Sequence, residues 1–249
     1  MNTQTDLITE NARCEMSALP RLGEPRTALT LRRHGRPDPL RPLMEGFVRE
    51  RFRRTYGAEI SSFCPELLSL VGEDQALCAV AGVRPAGQER LYSEHYLDAE
   101  IETFLAAQTG RPRISRSSII EVGNLAPASV GQARWLIATL TAYLYSSGYE
   151  WVVFTAIPPV YNAFIRLGLP LKIHARADVT RLPPAERVQW GSYYDAGPVV
   201  CYGEIAPGFQ QLGSAIRPER RKLWGLWLEA QRLGNQAGAD YGIASGSDC

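Results

Sequence analysis

A carboxylate inside an apolar strand is the first feature of this chain that could do chemistry. Glu121 lies in the run SIIEVGNL (118–125), between Ile120 and Val122. Burying a charge there is costly unless it is paired or hydrogen-bonded. Side chains alternate along a strand, which groups Ile119, Glu121 and Gly123 on one face and Ile120, Val122 and Asn124 on the other. Two roles fit Glu121 equally well: a base or amine anchor, or one half of an ion pair with an arginine such as Arg51 of the first helix. The strand ends at Gly123, Asn124 and Leu125 and runs through a loop with Pro127 into a helix that opens Val130-Gly131-Gln132-Ala133-Arg134. Backbone N–H groups at such a helix start can hold an anion, with Arg134 adding positive charge. A pantetheine pyrophosphate or an acyl-carrier phosphate is the ligand this would suit, although a glycine before a helix is more commonly just a turn.

Other candidates are weaker. Glu94, in YSEHY, stands before the tight Tyr96-Leu97-Asp98 turn and either faces a substrate groove or is solvated. Tyr193 and Tyr194 follow Trp190-Gly191 and offer a phenolic general acid, or merely satisfy backbone carbonyls. Cys64 and Cys78 lack a histidine beside them in sequence and read as small buried thiols.

Those residues need elements to position them. The stripe Met44, Val48, Phe52, Tyr56 predicts a helix from about Pro42 to Tyr56, stopped by Gly57. Strands are expected at Ala58–Phe63 and Ala76–Val83, and a helix at Ala99–Gln108, capped by Asp98 and ended by Gly110. Ser118–Leu125 is the strand carrying Glu121, and Gly131–Ser147 an apolar helix with Leu136, Leu140 and Leu144. Trp151–Ala156 (WVVFTA) reads as a central strand. Pro158 and Pro159 open a short helix that Gly168 closes. A strand at Leu171–Ala175, a last strand region within WGSYYDAGPVVCYGEI, and a helix from about Pro218 to Leu233 complete the body. The expected organisation is an arm or cover strand over 1–38, one domain over 39–234, and a Gly/Ser-rich disordered tail over 235–249. The order predicts an α/β (α+β) mixed central sheet flanked by helices.

Composition excludes several functions. With 27 Lys plus Arg against 26 Asp plus Glu in 249 residues, the net charge is +1, so neither nucleic acid nor an anionic membrane is expected as partner. The first residues lack the basic-then-apolar pattern of a secretory signal, and no apolar run is long enough to span a bilayer. Five scattered cysteines without a CxxC pair, and three histidines far apart, suggest reduced thiols in a cytoplasm and no metal.

The strings FVRERFRRTYGAEISSFCPELLSL, ALCAVAGVRPA, LYSEHYLDAEIE, IIEVGNLA, WVVFTA and FIRLGLPL, followed by WGSYYDAGPVV, resemble the thermostable hemolysin family over roughly residues 40 to 205. The resemblance implies a GNAT-like N-acetyltransferase fold, with acyl-homoserine-lactone synthases as functional relatives. In those enzymes an arginine-bearing helix precedes the sheet, and Arg49 or Arg51 and Glu121 stand in comparable positions. Arg51, Thr155 and Asn162 are therefore assigned to substrate binding, Glu121, Glu94 and Tyr193 to catalysis, and Gly123–Leu125 with Val130–Arg134 to the donor. The implied activity is transfer of an acyl group from acyl-CoA or a phosphopantetheinyl acyl-carrier protein to the amine of a small metabolite, without a metal. An acyl-carrier protein and a second copy of the chain are the protein partners this leaves room for. Departures from the pattern matter. Ala128-Ser129-Val130-Gly131-Gln132-Ala133 keeps the Gly-x-Ala half of the acetyltransferase pyrophosphate loop but not its leading Gln/Arg, which leaves room for a carrier protein in place of coenzyme A. Ser61–Glu66 lacks the acidic cluster of a sulfonium-binding synthase, against S-adenosylmethionine. Phe164…Leu167-Gly168-Leu169 is similar to the Tyr…Leu-Gly-Phe ending, with Asn162 nearer the glycine than the motif asparagine. The alternatives are a non-catalytic acyl-binding scaffold and a membrane-lytic protein.

Overall fold

The computed structural model describes residues 22–23 and 25–242. Seven strands form one sheet: β1 (Leu29–His34), β2 (Glu66–Gly72), β3 (Leu77–Pro85), β4 (Ile119–Pro127), β5 (Trp151–Ala156), β6 (Lys172–Arg176) and β7 (Val199–Glu204), in the order β1-β2-β3-β4-β5-β7-β6. β4 and β5 pair in parallel, and the other neighbours are antiparallel. The helices are α1 (Arg41–Tyr56), α2 (Ile101–Thr109), α3 (Val130–Ser146), α4 (Pro158–Arg166), the single turn α5 (Pro184–Arg187), α6 (Ile205–Ala215) and α7 (Arg221–Tyr241). This is the expected mixed α/β sheet flanked by helices.

Both faces of the sheet are covered. On one, Leu136, Leu140 and Leu144 of α3 and Leu223, Leu226 and Trp227 of α7 pack on Leu68, Leu70, Ile120 and Val122. On the other, Met44, Val48 and Phe52 of α1 pack on Leu67 and Val80, while Ile101, Phe104 and Leu105 of α2 join Ile119, Trp151 and Val153. Ile119 and Ile120 thus face opposite sides, as alternation requires.

Several boundaries differ from the sequence-based expectation. Ala58–Phe63 is not a strand; it crosses the sheet end as coil, where Arg41 donates to the carbonyls of Cys64 and Pro65 at 2.6 and 2.8 Å. The strand is Glu66–Gly72 instead. All seven of its residues are buried, so it lacks the alternation that marks a half-exposed strand. Within the expected arm, Leu29–His34 is an edge strand against β2, the cover-strand alternative, while residues 1–21 lie outside the described residues. The last helix does not stop at Leu233. It continues to Tyr241, because Gly234 and Gly238 let it lie directly on α3; a Cβ at Gly234 would sit 2.3 Å from the Tyr143 carbonyl oxygen. Gly238, inside the expected disordered tail, is a close-packing position, and residues 243–249 lie outside the described ones. Helix α6 follows β7 without an intervening loop and was not expected. Among the described residues, no helix is long and apolar enough to cross a membrane. Leu223, Leu226 and Trp227 of α7 are buried in the core, while Leu228 is exposed.

Candidate functional site

The β4–β5 ladder pairs Ile119–Val122 with Trp151–Phe154 and goes no further, although β4 runs on to Pro127 and β5 to Ala156. On its other side β4 bulges: Gly82 and Val80 of β3 face Gly123 and Ala126, so three steps of β4 match two of β3. Asn124 takes up the extra residue with a left-handed φ of 49°. The bulge turns its side chain away from the face that alternation assigned. Its Oδ1 accepts from Cys64 N at 2.9 Å and its Nδ2 donates to the Ser62 carbonyl at 3.3 Å, clipping the 58–65 coil to β4.

Between the parted strands lies a cavity of about 110 Å³, several times the ~30 Å³ share of one water. Gly123, Asn124, Leu125 and Thr155 form its strand walls, and Val160 and Phe164 of α4 close one side. The other side is aromatic: Phe52 and Tyr56 of α1, Tyr92 and Tyr96, and Trp190, Tyr193 and Tyr194 from the excursion between β6 and β7. These rings pack in tilted and edge-on pairs, the latter including Trp190 on Tyr194 at 5.9 Å and Tyr56 on Tyr193 at 5.2 Å. Gly191 (φ 51°) admits this excursion against α1, where a Cβ would lie 2.1 Å from the Tyr56 carbonyl oxygen. A second, apolar cavity on the α3 face shares Val122, Phe154 and Phe164 with the first and reaches Leu169, Ile205 and Gly208.

Glu121 borders the first cavity, but its partner is Arg84, directly opposite on β3, rather than Arg51. Arg84 Nη1 lies 3.3 Å from Oε2, and the backbone N–H groups of Tyr92 and Ser93 donate to the carboxylate at 2.8 and 2.6 Å. Glu94 does not border this cavity. It accepts from Leu91 N and Ile101 N and is held by both terminal nitrogens of Arg116 at 2.7 and 2.8 Å. Burial opposes its charge, but Arg116 and the two amides outweigh it and hold its carboxyl below the usual carboxylate range. Neither carboxylate is solvated, as a strand-end Glu commonly is.

Thr155 and Tyr193 line the cavity, whereas Asn162 is exposed on α4 and Arg51 is outside the lining. The Tyr193 hydroxyl has no hydrogen bond among the described residues, and burial raises its pKa. Burial also pushes the Cys64 thiol up to about 12, so it is a poor nucleophile. At the start of α3, Gly131 is open, with nothing nearer to a would-be Cβ than Ser129 Oγ at 3.9 Å. Gln132 N is already bonded to the Ser129 carbonyl, and Arg134 lies over the Trp135 ring at 5.0 Å. The sequence reading missed Arg84, Tyr92, Tyr96 and Trp190 as lining residues. An aromatic count over 190–194 hinted at the wall, but nothing local tied Arg84 to Glu121.

The family model for thermostable hemolysin matches residues 34–209, more than half of the chain. The chain belongs to the thermostable hemolysin family. No curated protein matches its sequence. Among solved structures, this family member resembles FeeM, an N-acyl amino acid synthase from uncultured soil microbes, with a TM-score of 0.53 and 15% identity over 77% of this chain and 99% of that one. TofI in an apo form gives 0.52 at 15% identity, also over 77% and 99%. TofI in a ternary complex with an inhibitor and MTA gives 0.51 at 16% over the same shares. At such identities the likeness is one of fold.

Proposed function

We propose that this protein transfers an acyl group from an acyl thioester, carried on coenzyme A or on an acyl-carrier protein, to the amine of a small metabolite. The observation that carries this is the β4–β5 pair that parts after Val122 and Phe154 and opens on a cavity. A parted parallel pair leaves unladdered backbone polar groups that must find partners. The amides of a pantetheine arm are suitable ones. The N-acyl amino acid synthase activity named for FeeM, whose fold is similar, supports the same reading.

In this proposal the pantetheine lies along Gly123–Leu125 and Thr155, and a backbone N–H there polarises the thioester carbonyl. The donor phosphate approaches the open flank at Gly131, with Val130–Ala133 and Arg134 around it. The acyl tail continues past Phe154 and Phe164 into the second cavity, whose lining is apolar. The amine enters along the aromatic wall, where Tyr193 can return a proton to the leaving thiolate. Glu121 has its oxygens engaged by three donors, which suits it to anchoring the Tyr92–Ser93 turn and Arg84 more than to taking a proton. The reading is tested by incubating purified protein with acyl-CoAs or acyl-carrier proteins and a pool of amines. Amine-dependent release of free thiol with a new amide by mass supports it. Binding of the thioester without release would leave a scaffold; absence of both binding and release would remove the acyl ligand altogether.

A further inference from the structure

Amide formation needs the acceptor nitrogen free of its proton, and the carboxylates at Glu121 and Glu94 are both occupied by a guanidinium and by backbone N–H groups. A third carboxylate is differently placed. Glu186, on the single turn α5, is half-buried at the outer side of the aromatic wall. The hydroxyl of Tyr92, a residue that lines the cavity, donates to Glu186 Oε2 at 3.2 Å and accepts from Trp190 Nε1 at 3.0 Å. Tyr194 shares a hydroxyl–hydroxyl bond with Tyr96, and both line the same cavity. No cation pairs with Glu186 among the described residues. The neighbouring Arg187 is committed to the carbonyls of Leu182 and Thr180, and Arg181 to Leu97 and Asp98. The other titrating groups facing this spot are Tyr194 and His95, whose Nδ1 bonds the Tyr92 carbonyl and whose ring packs 5.1 Å from that of Tyr92.

Building on the proposed acyl transfer, we infer that Glu186 is the proton acceptor of the reaction, reached from the cavity through the Tyr92 hydroxyl. The acceptor enters as an ammonium ion against the tyrosine wall. Its proton passes to the Tyr92 oxygen as the Tyr92 proton passes to Glu186, leaving a neutral amine and a protonated Glu186. The nitrogen lone pair then forms the C–N bond at the thioester carbon. The C–S bond breaks with its electrons on sulfur, and the thiolate takes the second proton of the attacking nitrogen, directly or through Tyr193. Glu186, being half-exposed, returns its proton to solvent. Trp190, bonded to Tyr92, is a positioning residue that keeps the hydroxyl aimed at Glu186.

The test compares wild type with Glu186→Gln and Tyr92→Phe, each checked for a native unfolding transition, using the amine that wild type acylates fastest. Both variants should lose about 100-fold in acceptor kcat/KM near neutral pH, with thioester binding unchanged. The deficit should shrink as alkaline buffer supplies neutral amine from solution. Glu186→Asp should recover part of the rate, and His95→Gln should leave the pH profile in place. A Glu186→Gln variant with the wild-type rate and profile would overturn the relay while leaving acyl transfer standing. A wild type that binds no thioester and forms no amide would overturn both.

Discussion

Two strands of one sheet, β2 near its edge and β4 at its centre, each bury a glutamate, and they do so differently. On β2, Glu66 meets Arg33 at 2.8 Å, the Tyr143 hydroxyl from α3 and the Tyr241 hydroxyl from α7. It lines neither of the two cavities described above, and side chains from three other elements, β1, α3 and α7, close over it. On β4, Glu121 meets Arg84 and two backbone N–H groups, and beside it the strands part and the aromatic wall begins. Both are carboxylates in apolar strands, and both are paired as burial demands. A buried acid therefore does not by itself mark a site. What separates the two is the space beside the acid, and that is set by strand pairing and by a bulge.

Mutations can break this contrast. The largest effect is expected from Glu66→Ala, which leaves the buried Tyr143 hydroxyl and the half-buried Tyr241 hydroxyl without their acceptor and Arg33 with Asp240 alone, and should cost about 3 kcal/mol of unfolding free energy. Acyl transfer per folded molecule should not change; a matching loss of specific activity would put chemistry beside Glu66. Glu94→Gln should cost about 2 kcal/mol, because Arg116 is partly exposed and softens the loss. Since the folded carboxyl of Glu94 lies below its unfolded value, its contribution is present above the unfolded pKa and fades as pH falls through the folded one. Acid denaturation curves of wild type and Glu94→Gln should accordingly converge at low pH, and curves that stay parallel would remove Glu94 from the acid response. Beside β4, Gly208→Leu fills the second cavity, where a Cβ already approaches Leu169 Cδ2 at 3.0 Å. Turnover of long-chain donors should fall about tenfold relative to short ones; an unchanged chain-length profile would take the acyl tail out of that cavity. The smallest effect is expected for Tyr193→Phe, about threefold in kcat, because a thiolate leaves readily without a proton. Its stability should stay within about 0.5 kcal/mol, since no hydrogen bond is lost.

Much of this arrangement was legible in the sequence. WVVFTA, the glycine stops and the strand–loop–helix unit around Glu121 lie where local pattern put them, and the family strings pointed to the right sheet. β2 escaped because a strand buried on both faces shows no period. The left-handed Asn124 escaped because a bulge is imposed by the neighbouring strand's register. The partner of Glu121 differs for a similar reason: Arg51 was one candidate on the first helix, whereas Arg84 is fixed opposite by the β3–β4 ladder. The Tyr92–Glu186 contact joins residues 94 positions apart, a distance no local pattern spans.

The direct seating of α7 on α3 through Gly234 and Gly238 also bears on how the chain comes off the ribosome. Among the described elements α7 is the last made, yet it covers β1 and seals the face that holds Leu68 and Leu70. Until residues 221–241 have been made, that face is covered by α3 without α7. The nascent sheet, with part of that apolar face uncovered, is a natural client for a chaperone until α7 docks.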